Sequence, residues 1–362
     1  MGSWAYQIGL AIVAALVLVY VLMVWRRHVR SPVPVELPSR SFRSMGGLAM
    51  VTLGAEQAER IEPIAARVHD LLERMEGELS VYETGSAISH LAETAGSAPT
   101  EVSEDARRVL YLAQRFGELT DGAFDVTLAP VVRLWGFHGA PYPNVVPSEE
   151  TIREQMRLVD YRRIVLRDQT AFLPLEGMAV DLGGIAKGYA VDRAFELCRQ
   201  EGIKDFLIDL SGNIRVSGRP GKGEAWQVGV RNPFDRSRVI GKVMLQDGMA
   251  LATSGNYERF IEVDGERYSH ILNSRTGHPV IGTAGVTALC CDATTADALS
   301  TWFFVVGLDG AGVHLKKASP AEALIVPDRK PFEIWTTPGF AKVFIPIPEL
   351  SGSVRILGST ST

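Results

Sequence analysis

The chain has 362 residues and a formal net charge of −5 at neutral pH, and 46% of its residues are hydrophobic. This length fits one large domain or two modest ones. The 32 basic and 41 acidic residues from position 44 onward carry a net charge of −9. An acidic body without an aromatic-studded basic face argues against nucleic acid as a partner.

Residues 4–25 form an uncharged apolar segment in which Gln7 is the one strongly polar side chain. About 20 apolar residues span the hydrocarbon core of a bilayer, and aromatic residues stand near both ends of this segment. A cleaved signal peptide is the alternative, but the basic leading region and the small-residue cleavage site that it needs are missing. The sequence therefore predicts one transmembrane helix within an N-terminal anchor at residues 1–30, followed by a proline-rich linker at residues 31–43.

Arg26, Arg27 and Arg30 follow the apolar segment, so the positive-inside rule places the rest of the chain in the cytoplasm. The three cysteines agree with this side, because they are an odd number and two of them are adjacent, which offers no disulfide framework. The expected location is the cytoplasmic (inner) membrane.

From residue 44 the hydrophobic pattern predicts helices and strands joined by short connections. Helices are expected at residues 56–79, from a Ser103 cap to about Leu119, and from a Ser148 cap to about Val159. Strands are expected at residues 44–53, 164–166, 179–182, 206–209, 214–217, 226–230, 239–245, 249–252, 259–263, 268–272 and 286–290. Successive strands with interspersed helices indicate an α+β fold.

The segment AVDLGGIAKGYAVDRA at residues 179–194 predicts a phosphate-binding site. An apolar strand would lead into two glycines and then into a helix with Lys187 in its first turn. Backbone N–H groups and the positive end of the helix dipole attract anions at such a turn. The pattern matches neither the P-loop nor the dinucleotide fingerprint of the Rossmann fold, so it does not specify which phosphate compound is bound.

Asp297 and Thr301 are four residues apart on a helix that Asp292 or Thr294 would cap. Their oxygens therefore lie on one side of the helix, and a carboxylate with a hydroxyl suits Mg²⁺. The alternative is structural, with an acid near the helix start and a threonine bonded back to a carbonyl.

Asp125 and His270 each allow a structural and a functional interpretation. Asp125 stands in an apolar run, so its carboxylate needs hydrogen-bond partners, and it either caps a loop or contacts a ligand. His270 lies in a predicted strand, where it is either a structural histidine or a general base.

Eight segments together resemble the ApbE-type FAD:protein FMN transferases. They follow the order of the family between residue 44 and about residue 343: SMGG, SVYETGSAIS, TDGAFDVTLAPVVRLWGF, AVDLGGIAKGYAVDRA, DLSGNIRVSG, ALATSGNYERF, RYSHILNSRTGHPV and TTADALSTWFFVVG. The resemblance implies an ApbE-like, T-fold-related α+β architecture with two similar halves. The flavin transferase domain would cover residues 44–350, with a flexible tail at residues 351–362.

The resemblance implies Mg²⁺-dependent transfer of FMN from FAD to a threonine or serine hydroxyl of a partner flavoprotein. The acceptor would carry a D-x-[ST]-G-A-[ST]-like motif, and the products would be a phosphoester-linked flavin and AMP. The alternative function is a non-catalytic flavin-binding or assembly factor for a respiratory redox complex. A broken metal site would favour that alternative, and both Asp297 and Thr301 are present.

The resemblance also assigns roles to residues of this chain. The residues matching the FAD contacts of the family are Met45, Tyr82, Ala123, Phe124, Asp125, Asp181, Lys187 and Leu272. The residues matching its Mg²⁺ site are Gly184 (through its carbonyl), Asp297, Ser300 and Thr301. His270 matches the position suspected of taking the proton from the acceptor hydroxyl.

Two features depart from the family pattern. The family often reads Ile-Ile-Asp-Pro after the histidine, whereas this chain has Ile271, Leu272, Asn273 and Ser274, so an aspartate is not there to orient His270. Many relatives also work outside the cytoplasmic membrane, whereas the arginines after residue 25 favour the cytoplasm.

Overall fold

A computed structural model of the protein describes residues 36–138, 145–221, 223–318 and 320–358. The predicted transmembrane segment lies outside these residues, as do the start of the linker and the end of the tail. Within the described ranges, none of the helices has the length and apolar character that crossing a bilayer requires.

The core of the fold is a nine-stranded mixed sheet with the order β1-β2-β6-β7-β10-β13-β14-β15-β17, in which β15 and β17 pair in parallel and the other neighbours are antiparallel. Three small sheets accompany it, formed by β11-β12, by β16-β9-β8 and by β3-β5-β4. The strands are β1 Ser39–Ser44, β2 Gly47–Leu53, β3 Thr100–Glu101, β4 Val165–Arg167, β5 Thr170–Phe172, β6 Phe206–Leu210, β7 Asn213–Ser217, β8 Trp226–Asn232, β9 Asp235–Leu245, β10 Ala250–Gly255, β11 Phe260–Val263, β12 Glu266–Ser269, β13 Thr283–Cys290, β14 Glu322–Pro327, β15 Ile334–Thr336, β16 Phe344–Pro346 and β17 Val354–Ile356.

The helices differ in length, and the longest, Ala293–Ala318, is interrupted by a kink at Gly307. They are α1 Ile61–Leu79, α2 Ala87–Glu93, α3 Glu104–Leu119, α4 Ala129–Leu134, α5 Glu149–Met156, α6 Ala186–Gln200, α7 Ala293–Ala318 and α8 Pro338–Ala341. The predicted caps are present, because the Ser103 side chain accepts from Ala106 N–H and the Ser148 side chain accepts from Thr151 N–H. Asp292 is the residue that caps α7, accepting from Thr295 N–H at 2.7 Å.

Helix α7 and strand β13 carry much of the core. All eight residues of β13 are buried, which fits a central strand covered on both faces. Helix α7 packs on β10 and β13, and α6 packs on α7. Because α6 begins at the glycine turn and α7 carries the predicted metal ligands, this packing brings the two predicted sites together. The α+β class is confirmed.

The strand predicted at residues 44–53 is wrong in one respect, because the chain there is a hairpin. Strand β1 pairs with β2 in a register that sets Ser44 opposite Gly47. The two connecting residues, Met45 and Gly46, have φ values of 49° and 70°. A two-residue hairpin turn of type I′ requires positive φ at both positions, and the apolar Met45 gave no sign of it.

Other differences from the predictions also bear on the site. Residues 55–60 form a 3-10 helix before α1, instead of the first turns of one long helix. Residues 179–182 make no strand, although Asp181 N–H donates to the Val126 carbonyl at 2.7 Å. Strand β12 ends at Ser269, so His270 lies just after a strand and not within it.

Helices α6 and α7 come into close contact at Gly188. A Cβ on Gly188 would lie 2.3 Å from the Ala293 carbonyl oxygen and 2.7 Å from the Asp297 Cβ. Only a residue without a side chain allows this approach without moving one helix.

We therefore expect Gly188→Ala to lower the free energy of unfolding by about 1–3 kcal/mol, as other overpacking changes do. Urea-induced unfolding measures this difference. Gly77→Ala is the matched control: Gly77 lies within α1 with no atom within 4 Å of its added Cβ, so this change should stabilise the protein by up to about 1 kcal/mol. Equal midpoints for Gly188→Ala and the wild type would contradict the packing argument.

Candidate active site

A cleft of about 780 Å³ lies between the glycine turn, helix α7 and the loops that follow α1, β10 and β12. It gathers residues that are far apart in the sequence. Twelve of the predicted site residues line it, namely Met45, Tyr82, Ala123, Phe124, Asp125, Asp181, Gly184, Lys187, His270, Leu272, Asp297 and Thr301. The roles assigned to these residues by resemblance stay predictions, but their common location follows directly from the fold.

The glycine turn at one end of the cleft has the features of an anion site. Residues 183–185 form a turn that leads directly into α6. Lys187 lies in the first turn of α6, and its Nζ donates to the Gly183 carbonyl at 3.0 Å. The helix N-terminus and the ammonium group therefore give this end of the cleft a positive potential, which favours phosphate.

Asp181 precedes this turn and is held by two hydrogen bonds. Its Oδ1 accepts from Gly183 N–H at 2.8 Å, and its Oδ2 lies 2.9 Å from His138 Nε2, which donates because a carboxylate only accepts. Burial by itself raises the pKa of Asp181, but His138, the Gly183 N–H and Lys187 together hold the pKa below its usual value. Asp181 is therefore ionised at neutral pH.

Helix α7 brings a group of oxygen atoms to the other side of the turn. Asp297 Oδ2 accepts from Gly188 N–H at 2.9 Å, which ties α7 to α6. A Cβ added to Gly184 would lie 3.1 Å from Thr301 Oγ1, so the hydroxyl stands beside the Gly184 backbone. A carboxylate, a hydroxyl and an adjacent backbone carbonyl are the hard oxygen donors that Mg²⁺ prefers.

These residues fit a divalent cation on electrostatic grounds as well. Asp297 is only 6% exposed, and among the described residues Gly188 N–H is the one hydrogen-bond donor to its carboxylate. Burial raises the pKa of the Asp297 carboxyl, and Lys187 and the Gly188 N–H offset this in part. A buried carboxylate with so few partners is stabilised by a cation.

Ser300 is the predicted site residue that does not line the cleft. It is fully buried behind the wall of the cleft. Its hydroxyl donates to the Asp297 carbonyl at 2.9 Å and lies 2.8 Å from Ser254 Oγ. Ser254 itself lines the cleft and lies 3.4 Å from Thr301 Oγ1. Ser254 lies within strand β10, and nothing in the sequence around it indicates its contacts with Ser300 and Thr301.

Asp125 lines the cleft but has structural partners. Its Oδ1 accepts from the Thr127 N–H at 2.8 Å and from the Thr127 hydroxyl at 2.6 Å, and its Oδ2 accepts from Tyr161 N–H at 3.0 Å. Burial raises the pKa of Asp125 in spite of these bonds. Asp125 therefore caps the loop, as the structural interpretation predicts. Its carboxylate also borders the cleft, where it can contact a ligand.

Apolar and aromatic residues form the rest of the wall. Phe124 packs against Phe116 at 6.1 Å between ring centroids, and its N–H donates to the Thr120 hydroxyl. The Ala123 carbonyl accepts from the Ser274 hydroxyl at 3.2 Å. Leu272 is 4% exposed and joins a second hydrophobic cluster. These surfaces suit a flat ring system between them.

Tyr82 and Met45 lie at the open side of the cleft. The Tyr82 ring is half exposed and meets His138 edge-on, with 5.5 Å between ring centroids. Arg259 Nη1 donates to the Tyr82 hydroxyl at 3.0 Å. The backbone N–H of Met45 donates to Glu76 Oε2 at 2.7 Å, which holds the hairpin turn against α1.

His138 and Arg259 are site residues that the sequence reasoning missed. His138 directly follows one of the segments that resemble the family, and Arg259 lies within another. Neither residue has a neighbour in the sequence that indicates which residue it contacts. His138 contacts Asp181 across 43 positions, and Arg259 contacts Tyr82 across 177. Contacts of this range depend on the tertiary fold.

His270 is oriented by the backbone. Its Nδ1 lies 3.0 Å from the Arg259 carbonyl oxygen; because a carbonyl only accepts, Nδ1 carries the proton and Nε2 keeps its lone pair. Burial lowers the pKa of His270 to about 4. The imidazole is therefore neutral at physiological pH, with Nε2 available as a base.

The α+β domain has a cleft in which a helix N-terminus, a group of hard oxygens and an uncharged histidine meet, and such a cleft suits a phosphorylated ligand. The ApbE family profile matches residues 45–325 of the chain. The chain therefore belongs to the ApbE family.

Individual relatives agree with this assignment. A FAD:protein FMN transferase of Escherichia coli K12 is 29% identical over 308 residues, which cover 84% of this chain and 88% of the relative. The crystal structure of an ApbE protein from Thermotoga maritima is similar with a TM-score of 0.75 and 33% identity, covering 85% of this chain and 99% of that one. The structure of the flavin transferase ApbE from Vibrio cholerae also gives a TM-score of 0.75, at 28% identity, and the match covers 86% of this chain and 100% of that one.

The lowered pKa of His270 predicts a pH dependence of stability. The ordinary value is 6.5 and the folded value about 4, so between these limits the unfolded chain binds more protons, and stability falls as the pH drops through this window. His270→Gln should make that fall smaller. Urea unfolding at pH 7 and pH 4.5 measures it, with His90→Gln as the exposed-histidine control. If the free energy of unfolding changes with pH equally in His270→Gln and in the wild type, the lowered pKa of His270 is contradicted.

Proposed function

We propose that the protein transfers FMN from FAD to a threonine or serine hydroxyl of a partner flavoprotein, with Mg²⁺, and releases AMP. The observation that carries this proposal is the cleft in which a phosphate-binding turn, a group of hard oxygens and an uncharged histidine meet. The family assignment supports it, because relatives over most of the chain are FAD:protein FMN transferases.

In this proposal the glycine turn and its flanking charges hold FAD. The N–H groups at the start of α6 and the Lys187 ammonium face the pyrophosphate. Asp181, ionised and fixed by His138, accepts hydrogen bonds from donor groups of FAD. Phe124, Leu272 and Tyr82 supply apolar and aromatic surface for the rings.

The acceptor hydroxyl attacks the phosphorus of the FMN half of FAD. His270 Nε2 takes the hydroxyl proton as the new O–P bond forms. The bond between that phosphorus and the bridging oxygen breaks, and AMP leaves with the bond electrons. The family often has an aspartate three positions after the histidine, where this chain has Asn273, and here the Arg259 carbonyl orients the imidazole instead.

Gly184, Asp297 and Thr301 would hold Mg²⁺ beside the pyrophosphate, with Ser300 behind them. When bound, the ion supplies Lewis-acid stabilisation of negative charge on the phosphate oxygens. The contribution of the chain is to fix the donor positions, through the Gly188–Asp297 hydrogen bond and through the packing of α6 on α7.

We also propose that residues 4–25 anchor the enzyme in the cytoplasmic membrane, so that it meets an acceptor subunit with a D-x-[ST]-G-A-[ST]-like motif near that membrane. The apolar, uncharged character of these residues supports an anchor. The side of the membrane on which the catalytic domain lies determines which acceptors it reaches.

Two substitutions should separate FAD binding from transfer. Lys187→Met removes a charge beside the phosphate site, so we expect FAD affinity to fall about tenfold or more. Asp297→Asn removes the metal carboxylate, so we expect transfer to fall about 100-fold or more with FAD affinity changed less than about threefold. Flavin fluorescence measures binding, and chromatographic AMP with mass spectrometry of the acceptor measures transfer.

Lys242→Met, an exposed change on β9 outside the cleft, is the matched control for loss of a lysine charge. Equal losses of FAD affinity in Lys187→Met and Asp297→Asn would refute the division of roles. FAD binding by the wild type without AMP in the presence of a suitable acceptor and Mg²⁺ would refute the proposed reaction.

Removal of residues 1–35 should convert a membrane-bound enzyme into one that stays in the supernatant and still binds FAD. Cell fractionation with carbonate washing measures this, and a topology reporter fused after Thr362 identifies the side of the membrane. Recovery of the full chain in the supernatant would contradict the anchor.

A further inference from the structure

A buried acid on α6 lies behind the cleft and contacts the start of α7. Asp192 follows Gly188 by one helical turn and is 8% exposed. Its Oδ1 accepts from Ala293 N–H at 2.8 Å, and its Oδ2 accepts from Thr294 N–H at 2.9 Å. These two N–H groups belong to the first turn of α7, where no partner exists within the helix.

Thr294 adds a side-chain bond to the same carboxylate, because its hydroxyl donates to Asp192 Oδ2 at 2.5 Å. Arg215 on β7 compensates the charge, with Nη1 2.9 Å from Asp192 Oδ1. The Arg215 guanidinium stacks over the Phe195 ring at 4.0 Å. A buried carboxylate with four donors is a rigid anchor, since moving any donor leaves a charge without its partner.

This hydrogen-bonded group around Asp192 is separate from the proposed FAD site. Asp192, Arg215 and Thr294 line a second cavity of about 520 Å³ and do not line the cleft. They connect to the cleft along α7: Asp297 lies three residues after Thr294, and Thr301 lies a further four residues along the same helix. A rotation or slide of the first turn of α7 therefore displaces both oxygens.

We propose that Asp192, with Arg215 and Thr294, is a positioning device that fixes α7 against α6 so that the Asp297 and Thr301 oxygens meet the Gly184 backbone at the metal site. It rests on the proposed function, because that function assigns Mg²⁺ to these oxygens. Together with the Gly188–Asp297 bond it gives α7 two attachments to α6, one at each end of the segment that leads to the metal ligands.

The test measures metal binding without turnover. Mn²⁺, detected by its electron paramagnetic resonance signal, is titrated into the full-length protein loaded with FAD and kept without acceptor. We expect Asp192→Asn and Thr294→Val to raise the Kd for Mn²⁺ about tenfold or more, as loss of groups that orient metal ligands does. Thr294→Ser keeps the hydroxyl, so its Kd should stay within about twofold of the wild type, as should FAD affinity in all three variants.

Glu322→Gln is the matched control for loss of a half-buried helix-capping acid. Glu322 accepts from Gly339 N–H and from the Thr337 hydroxyl at the start of α8, far from the cleft lining. The Mn²⁺ affinity of the Glu322→Gln variant should equal that of the wild type. If Asp192→Asn does not fold, the Thr294→Val and Thr294→Ser pair decides the question.

Unchanged Mn²⁺ affinity in Thr294→Val, an equal loss in Glu322→Gln, or a parallel loss of FAD affinity would each overturn the positioning role. The proposed reaction fails in a different way. If the wild type gives no AMP with acceptor while the Mn²⁺ results hold, the positioning role stands and the assigned reaction does not.

Discussion

The close approach of α6 and α7 is the constraint on which the rest of the site depends. Gly188 leaves room for the Ala293 carbonyl at a distance that a methyl group would fill, and the Gly188 N–H then reaches the Asp297 carboxylate. One glycine therefore does two things: it lets the helices touch, and it supplies a donor to a buried acid. The phosphate-binding turn at the start of α6 and the oxygens of α7 share one cleft because of this contact.

Carboxylates in and near the cleft differ in the number of hydrogen-bond donors that their side chains have. Asp192 has four donors and Asp125 has three, which is typical of acids that hold the backbone in place. Asp297 has one protein donor among the described residues and a pKa raised by burial. A buried carboxylate with a single hydrogen-bond donor destabilises the fold unless a cation or a ligand binds to it.

The same reasoning applies to the histidine of the cleft. In this chain Asn273 stands where relatives often have an aspartate, yet the imidazole is still fixed through the Arg259 carbonyl. A neutral acceptor orients the ring without adding negative charge, and burial keeps the pKa of His270 at about 4. The imidazole is thus uncharged at neutral pH, with Nε2 unprotonated.

The sequence by itself determined the α+β class, the caps of α3 and α5, the glycine turn before α6 and the pairing of Asp297 with Thr301 on one helix face. These features depend on residues close together in the chain. Only the tertiary structure decided the contacts of His138 and Arg259 and the burial of Ser300 behind the cleft. The physical reason is range, since periodicity and capping act over one or two turns, whereas the partners of a buried polar group come from whichever segments the fold brings together.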